Sequence, residues 1–234
     1  MTGSRAASIM ALTLDLDDTL WPIWPAIERA EHELHGWLAQ NASATARRFD
    51  VAALRGLREA IAAENPEWGH DFTRMRHASL VRALTLAGDD PAHADGAFAA
   101  FFAARNRVEL YADALPALQA LAARWPIAAV TNGNADLHGI GLAAHFVTTI
   151  SAREFGIGKP DPRIFHEACR RLGVAPHEVL HIGDDWALDV VGAHGAGLRS
   201  AWVRRDPDVE APAGPARADC VVRDLSELVA WLDA

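Results

Sequence analysis

The chain has 234 residues, half of them hydrophobic, enough for one large domain or for a core with a smaller module; no apolar run reaches the roughly 18 residues of a membrane-spanning helix, so no membrane partner is expected. Its net charge of −9, with no run of Lys or Arg, argues against nucleic acid as the main partner. A small anionic substrate is compatible with that charge, because a metal and one or two cations can reverse the field locally.

Residues 1–8 are weakly charged and lack the apolar stretch of a signal peptide. The apolar run Ile9-Met10-Ala11-Leu12-Thr13-Leu14 reads as a buried parallel strand. It leads into Asp15-Leu16-Asp17-Asp18-Thr19-Leu20. Asp15 and Asp17 are expected to share one face, because strand side chains alternate with a period of two. Two like charges so close need a cation or a proton to compensate them. This points to Mg²⁺, to acid–base chemistry, or to both.

Residues 24–107 hold no convincing strand. Segments 28–39, 51–63, 72–87 and 92–107 are rich in Ala, Leu, Arg and Glu, with apolar residues at helical spacing. Asn65-Pro66 and Gly88-Asp89-Asp90-Pro91 punctuate them. The expectation is a module of roughly four helices.

Helix and strand then alternate. Segment 115–125 reads as a helix, 127–131 as a strand ending at Asn132-Gly133-Asn134, and 146–150 as a short strand. Asp161 is a plausible N-cap for a helix over 161–172, with Pro162 at its first position. A strand over 179–182 ends at Gly183-Asp184-Asp185, followed by a helix over 187–195 and a strand over 199–203. A Pro-rich loop over 206–215 leads to a strand over 220–222 and a helix over 224–232, where Asp224 and Glu227 resemble a capping box. The two cysteines, Cys169 and Cys220, match no zinc spacing and read as reduced core thiols of a cytoplasmic protein. This alternation implies an α/β fold with a doubly wound parallel sheet, whose ligands bind beyond the carboxyl ends of the strands. Polar clusters at 15–19, 131–134 and 183–189 all sit at such ends and are expected to converge.

A carboxylate at a strand end can attack phosphorus. A second carboxyl two residues on can protonate the leaving oxygen and later take a proton from water. Asp184, Asp185 and Asp189 add oxygen ligands that suit Mg²⁺ beside a phosphate. The alternative is that each acid caps a helix or a turn, and it weighs most at Asp18 and Asp185. Thr131, Asn132 and Gly133 offer a hydroxyl and backbone N–H groups to a phosphate, although Asn-Gly also makes ordinary turns. Lys159 lies in Gly156-Ile157-Gly158-Lys159-Pro160-Asp161-Pro162, where the prolines limit its reach and favour a phosphate or carboxylate partner. His138, His145, His166, His177, His181 and His194 form no metal-ligand spacing.

Asp15-Leu16-Asp17-Asp18-Thr19, Thr131-Asn132-Gly133, Lys159-Pro160 and Gly183-Asp184-Asp185 with Asp189 resemble the four ordered motifs of the haloacid dehalogenase (HAD) superfamily. The resemblance spans most of the chain. It implies a Rossmann-like core over 1–22 and 108–234, with a helical C1-type cap inserted over 23–107. It implies Asp15 as nucleophile and Asp17 as general acid/base. Mg²⁺ would be held by Asp15, the Asp17 carbonyl and Asp184, supported by Asp185 or Asp189. Thr131, Asn132, Gly133 and Lys159 would bind the transferring phosphoryl group. Dehalogenases of the superfamily lack the second acid, so Asp17 favours a phosphatase.

The stretches 11–21, 70–76 and 125–135 resemble the bacterial branch that hydrolyses flavin mononucleotide or the riboflavin precursor 5-amino-6-(5-phospho-D-ribitylamino)uracil. The implied partner is a small phosphorylated metabolite, acted on by a monomer or homodimer. Trp21, Trp24, Trp68 and Phe72 could stack on a flat ring, and His70, Arg74 or Arg76 could meet its polar groups. Alternatively, the aromatics pack helices and the arginines are solvated or salt-bridged.

Overall fold

The computed structural model describes residues 9–213 and 216–234. Two compact units emerge: residues up to Pro22 with Leu110–Gly133 and Gly141–Ala234, and Ile23–Glu109 with Asn134–Ile140.

The first unit is an α/β layer structure of Rossmann type. Its six strands are β1 (Ala11–Leu14), β2 (Ile127–Thr131), β3 (Thr148–Ser151), β4 (Val179–Gly183), β5 (Arg199–Val203) and β6 (Cys220–Val222). All pair in parallel, in the order β3-β2-β1-β4-β5-β6. Every residue of β1, β2 and β4 is buried, as expected of central strands covered on both faces. The chain builds outward from β1 to β3, then crosses back to lay β4 on the other side of β1. The crevice at the carboxyl ends of β1 and β4 is therefore the topological switch point, where ligands bind in such sheets. Register across it pairs Thr13 with His181.

In chain order the helices are α1 (Ile23–Asn41), α2 (Ser43–Arg48), α3 (Val51–Glu64), α4 (Phe72–Ala87), α5 (His93–Arg105), α6 (Ala114–Ala122), α7 (Leu137–Ile140), α8 (Ala152–Phe155), α9 (Pro162–Leu172), α10 (Gly192–Gly195) and α11 (Leu225–Asp233). Helix α9 starts as expected: Asp161 accepts from the Arg163 N–H at 3.0 Å, and Pro162 loses no hydrogen bond in the first turn. It buries Ile164, Phe165, Ala168 and Cys169 against Val130, Ile150 and Val179 of the sheet. Asp224 caps α11 through the Glu227 N–H, while Glu227 reaches back to the Arg223 N–H.

The second unit is helical. Pro25 falls in the first turn of α1, where its missing N–H has no partner to lose. Asp50 and Asp71 cap α3 and α4, and α4 stops at Gly88, whose φ of 83° is left-handed. Leu34, Leu38, Leu54, Leu80, Leu84 and Phe101 form its core.

Several elements differ from the sequence expectation. The short helix α2 and a 3₁₀ turn at Pro66–Trp68 add to the four helices. The strand expected over 146–150 is shifted to Thr148–Ser151. The helix expected over 187–195 opens as a π-helix, Trp186–Val191, before α10. Segment Asn134–Ile140 groups with the helical unit rather than the core. Asn134 accepts from Arg105 and donates to Thr73, and the Asp136 N–H donates to Asn106. The loop over 206–213 is irregular, while Gly214, Pro215 and residues 1–8 lie outside the described residues. Among the described residues no helix is long and apolar enough to cross a membrane.

Candidate active site

Strand β1 ends at Leu14, so Asp15 lies just past the sheet, with its N–H donating to the Ile182 carbonyl of β4 at 2.9 Å. From there its carboxylate meets the Lys159 ammonium, delivered from the loop between α8 and α9. The Lys159 Nζ donates to Asp15 Oδ1 at 2.5 Å and to Asp189 Oδ1 at 2.6 Å. All three residues are buried. Asp184, at the end of β4, completes a group in which carboxylate oxygens of Asp15, Asp184 and Asp189 lie within 4.8 Å of one another.

Two glycines make room for this arrangement. A Cβ on Gly183 would overlap the Asp189 carboxylate, so only glycine lets Asp189 fold over the end of β4. A Cβ on Gly158 would meet Asn132 Oδ1 at 2.7 Å. That oxygen accepts the Lys159 N–H at 2.7 Å, while Asn132 Nδ2 donates to the Lys159 carbonyl at 2.9 Å. Both ends of the Asn132 amide thus clamp the Lys159 backbone.

The electrostatics follow from burial and like charge. Three carboxylates against one ammonium, with Asp15, Asp189 and Lys159 buried and Asp184 half-buried, leave a formal excess of two negative charges. Burial raises the Asp15 carboxyl well above its ordinary range; Lys159 opposes this, while Asp189 and Asp184 reinforce it. Burial, with Asp189 beside it, pushes Asp184 up to about 7, against a hydrogen bond from Thr19. Asp189 goes the other way. Burial would raise it, but the Lys159 charge and the His181 hydrogen bond hold it well below the carboxylate range. Lys159 is raised, because its two carboxylates outweigh the burial that would lower it. The negative charge thus settles on Asp189, while Asp15 and Asp184 call for a proton or a cation. An all-oxygen donor set with an excess of two negative charges fits Mg²⁺.

The other candidate residues are placed as follows. Asp17 lies beyond the strand, so strand alternation does not set its position; its Oδ1 accepts the Trp21 indole N–H at 2.9 Å. Asp18 takes a left-handed φ of 58° and donates its N–H to the Trp21 carbonyl, a turn role. Trp21 is fully buried and is corrected from a stacking surface to the support of Asp17. Asp185 lies outside the carboxylate group. Its Oδ1 caps the π-helix by accepting from the Ala187 and Leu188 N–H groups at 2.8 Å. Thr131 is buried, and its hydroxyl accepts the Gly133 N–H at 2.9 Å, which leaves the hydroxyl proton to donate elsewhere. The Gly133 N–H, expected to serve a phosphate, here donates to the Thr131 hydroxyl.

On the helical unit, Trp24 and Phe72 are exposed, and guanidinium groups stack on two tryptophans: Arg55 over Trp24 at 5.1 Å and Arg74 over Trp68 at 3.9 Å. His70 is half-buried just before α4. Of the two readings of Arg76, the structure matches the salt-bridged one: it is buried over Phe101 at 3.6 Å and faces Glu31.

Sequence reasoning passed over three site residues. Thr19 is buried and donates to Asp184 Oδ1 at 2.9 Å. The Trp202 indole donates to the Asp184 carbonyl at 2.7 Å. His181 lies fully buried between Thr13 and Asp189. A signal for His181 existed: Thr13 and His181 are polar residues inside otherwise apolar strands, each two positions before a site residue and so on the same face.

A parallel α/β core with a lysine-bridged carboxylate group at its switch point defines a hydrolase-type centre, and the comparisons with known proteins give the family. Residues 9–197 match the haloacid dehalogenase-like hydrolases, and the chain belongs to that family. It is 37% identical over 200 residues to the 5-amino-6-(5-phospho-D-ribitylamino)uracil phosphatase YigB of Escherichia coli strain K12, covering 84% of each chain. It is 35% identical over 242 residues to a phosphoserine phosphatase of Thermus thermophilus, covering 93% of this chain and 96% of the relative. The crystal structure of a 2-haloacid dehalogenase from Pseudomonas syringae pv. Tomato DC3000 superposes with a TM-score of 0.88 at 35% identity, covering 96% of this chain and 98% of that one. The protein is thus an enzyme, a hydrolase, and these two curated relatives are phosphatases.

Proposed function

We propose that the protein is a Mg²⁺-dependent phosphomonoesterase working through an aspartyl-phosphate on Asp15. The observation that carries this reading is the group of Asp15, Asp184 and Asp189 around the buried Lys159, which has an excess of negative charge matched to a divalent cation beside a nucleophilic carboxylate. Asp15 attacks phosphorus, and Asp17, held by the Trp21 indole, protonates the leaving alcohol. Asp17 then removes a proton from the water that cleaves the aspartyl-phosphate. The Lys159 ammonium and the Thr131 hydroxyl hold phosphoryl oxygens, and Asn132 acts by fixing the Lys159 backbone. Asp15, the Asp17 carbonyl and Asp184 are the residues assigned to Mg²⁺, with Asp189 anchoring the lysine beside them. Bound there, the ion would neutralise charge on the phosphoryl group.

Asp17 also favours phosphate over halide chemistry. An alkoxide leaving group needs a proton and a halide does not. Flavin mononucleotide or 5-amino-6-(5-phospho-D-ribitylamino)uracil is the preferred substrate, a reading supported by the similarity to YigB. Substrate choice is assigned to the helical unit, with Trp24, Trp68, His70 and Arg74 as candidates. We place the enzyme in the cytoplasm, consistent with two buried free cysteines.

The test is hydrolysis of p-nitrophenyl phosphate with and without Mg²⁺, followed by a panel containing both flavin-related phosphates, phosphoserine and sugar phosphates. Metal-dependent phosphate release with a flavin-related optimum is expected. Metal-independent turnover, or halide release from 2-chloropropionate, would overturn the class. A phosphoserine optimum would overturn only the substrate.

A further inference from the structure

We propose that His181 is a positioning residue: held by Thr13, it fixes the Asp189 carboxylate and, through it, the Lys159 ammonium against Asp15. The inference rests on the phosphatase reading for its kinetic consequence, but its geometry stands alone. Thr13 and His181 are register partners on β1 and β4, and each lies two residues before a site position, Asp15 and Gly183. The His181 Nε2 lies 2.9 Å from Asp189 Oδ1, the same oxygen that accepts from Lys159. The other ring nitrogen, Nδ1, lies 2.9 Å from the Thr13 hydroxyl. Phe165 packs edge-on against the imidazole, with centroids 4.9 Å apart and planes at 88°. The ring has no freedom to turn.

Proton placement follows from the partners. An ionised Asp189 only accepts, so Nε2 carries the hydrogen. In a neutral ring Nδ1 is then an acceptor, and the Thr13 hydroxyl is the donor that makes this tautomer the favoured one. Asp189 Oδ2 accepts the Asp185 N–H at 3.0 Å. One carboxylate thus has His181 and Lys159 on one oxygen and backbone on the other, which leaves it a single orientation. Loss of the His181 donor would free Asp189 to rotate and let Lys159 drift from the line toward Asp15. The residue would act on turnover without touching substrate, in the way that partners behind a ligand orient it.

The experiment compares His181→Gln, His181→Leu, Thr13→Ser and Thr13→Val with the unmodified protein. Each is examined by thermal melting, by ¹H–¹⁵N correlation of the imidazole in metal-free protein, and by p-nitrophenyl phosphate kinetics with Mg²⁺. The expected spectrum shows His181 neutral and protonated at Nε2, with the Nδ1 resonance shifted by loss of its hydrogen bond in Thr13→Val and unchanged in Thr13→Ser. His181→Leu is expected to lower kcat by about 10–100-fold with little change in KM, and His181→Gln, whose amide N–H reaches the Nε2 position, to restore most of it. A ring protonated at Nδ1, a leucine variant with full kcat, or a glutamine variant no better than leucine would overturn the proposal. If His181→Leu does not fold, the Thr13 pair carries the same comparison. An unmodified protein without Mg²⁺-dependent activity would sink the phosphatase reading, and the spectra alone would then decide whether His181 holds Asp189.

Discussion

Each unit buries a charge cluster, and the two clusters resolve their imbalance differently. In the α/β unit three carboxylates surround one ammonium, and the Lys159 and Asp189 side chains are only 2% exposed. In the helical unit one carboxylate, Glu31 of α1, meets three guanidinium groups: Arg55 at 2.5 Å, Arg58 at 3.3 Å and Arg76 at 3.7 Å. There Arg55 and Arg58 keep 31% and 25% of their side chains in water, and Glu28 and Glu59 further favour the Arg55 charge. Only Arg76 is deeply buried; burial, with Arg58 nearby, pushes it down to about 9, and it rests on the Phe101 ring. Solvent and aromatic faces complete the positive cluster, which ties α1, α3 and α4 together. In the negative cluster two of the three carboxylates are buried, and only Asp184 is half-buried. An excess of like charge held largely out of water is the mark of a candidate functional site.

The sharpest way to break this contrast is to remove one charge from each cluster. Asp15→Asn should lower aryl phosphate hydrolysis by about 10³-fold or more, because the nucleophile is lost. Its metal-free melting temperature should rise, since one of three crowded carboxylates is gone. An active Asp15→Asn enzyme would remove the functional half of the account, and a lower melting temperature the electrostatic half. Glu31→Ala should do the reverse to stability, costing about 3 kcal/mol in urea unfolding by leaving three arginines without their carboxylate. A cost below about 1 kcal/mol would mean that the pairs behave like surface ion pairs.

A smaller effect is expected from pH. A carboxyl raised on folding, as Asp184 is to about 7, contributes stability that is full below its unfolded value and is lost as pH rises toward 7. Mg²⁺ must displace that proton, so the rise in melting temperature on adding Mg²⁺ to chelated protein should grow from pH 5 to about pH 8. A Mg²⁺ shift independent of pH would show that Asp184 is not protonated in the metal-free protein.

The contrast also explains what could be read from sequence. Helix α4 and strands β2, β5 and β6 fall where periodicity and turn residues put them, because those signals are local. The strand-end rule brings Asp15, Asp184 and Asp189 together, although they are far apart in the chain. What escaped were choices made by tertiary partners. Strand alternation places Asp17 on the face of Asp15, but β1 stops at Leu14 and Trp21 folds back to hold it. Arg76 stayed open between ligand contact and salt bridge because nothing local shows that Glu31 and Phe101 enclose it. His181 drew no role beyond lacking a metal-ligand spacing, because its partners come from β1 and from the π-helix. The π-helix is a tertiary choice as well: Asp185 caps it while Asp189 turns inward to Lys159.

The most direct test of the central claim uses Asp17→Asn with p-nitrophenyl phosphate and Mg²⁺. Its good leaving group departs without a proton donor, while breakdown of the intermediate still needs the missing base. Acid quenching and mass spectrometry should then find one phosphoryl group on the peptide that contains Asp15. Phosphate released with no phosphoryl group on Asp15, or one found on another residue, would contradict the account.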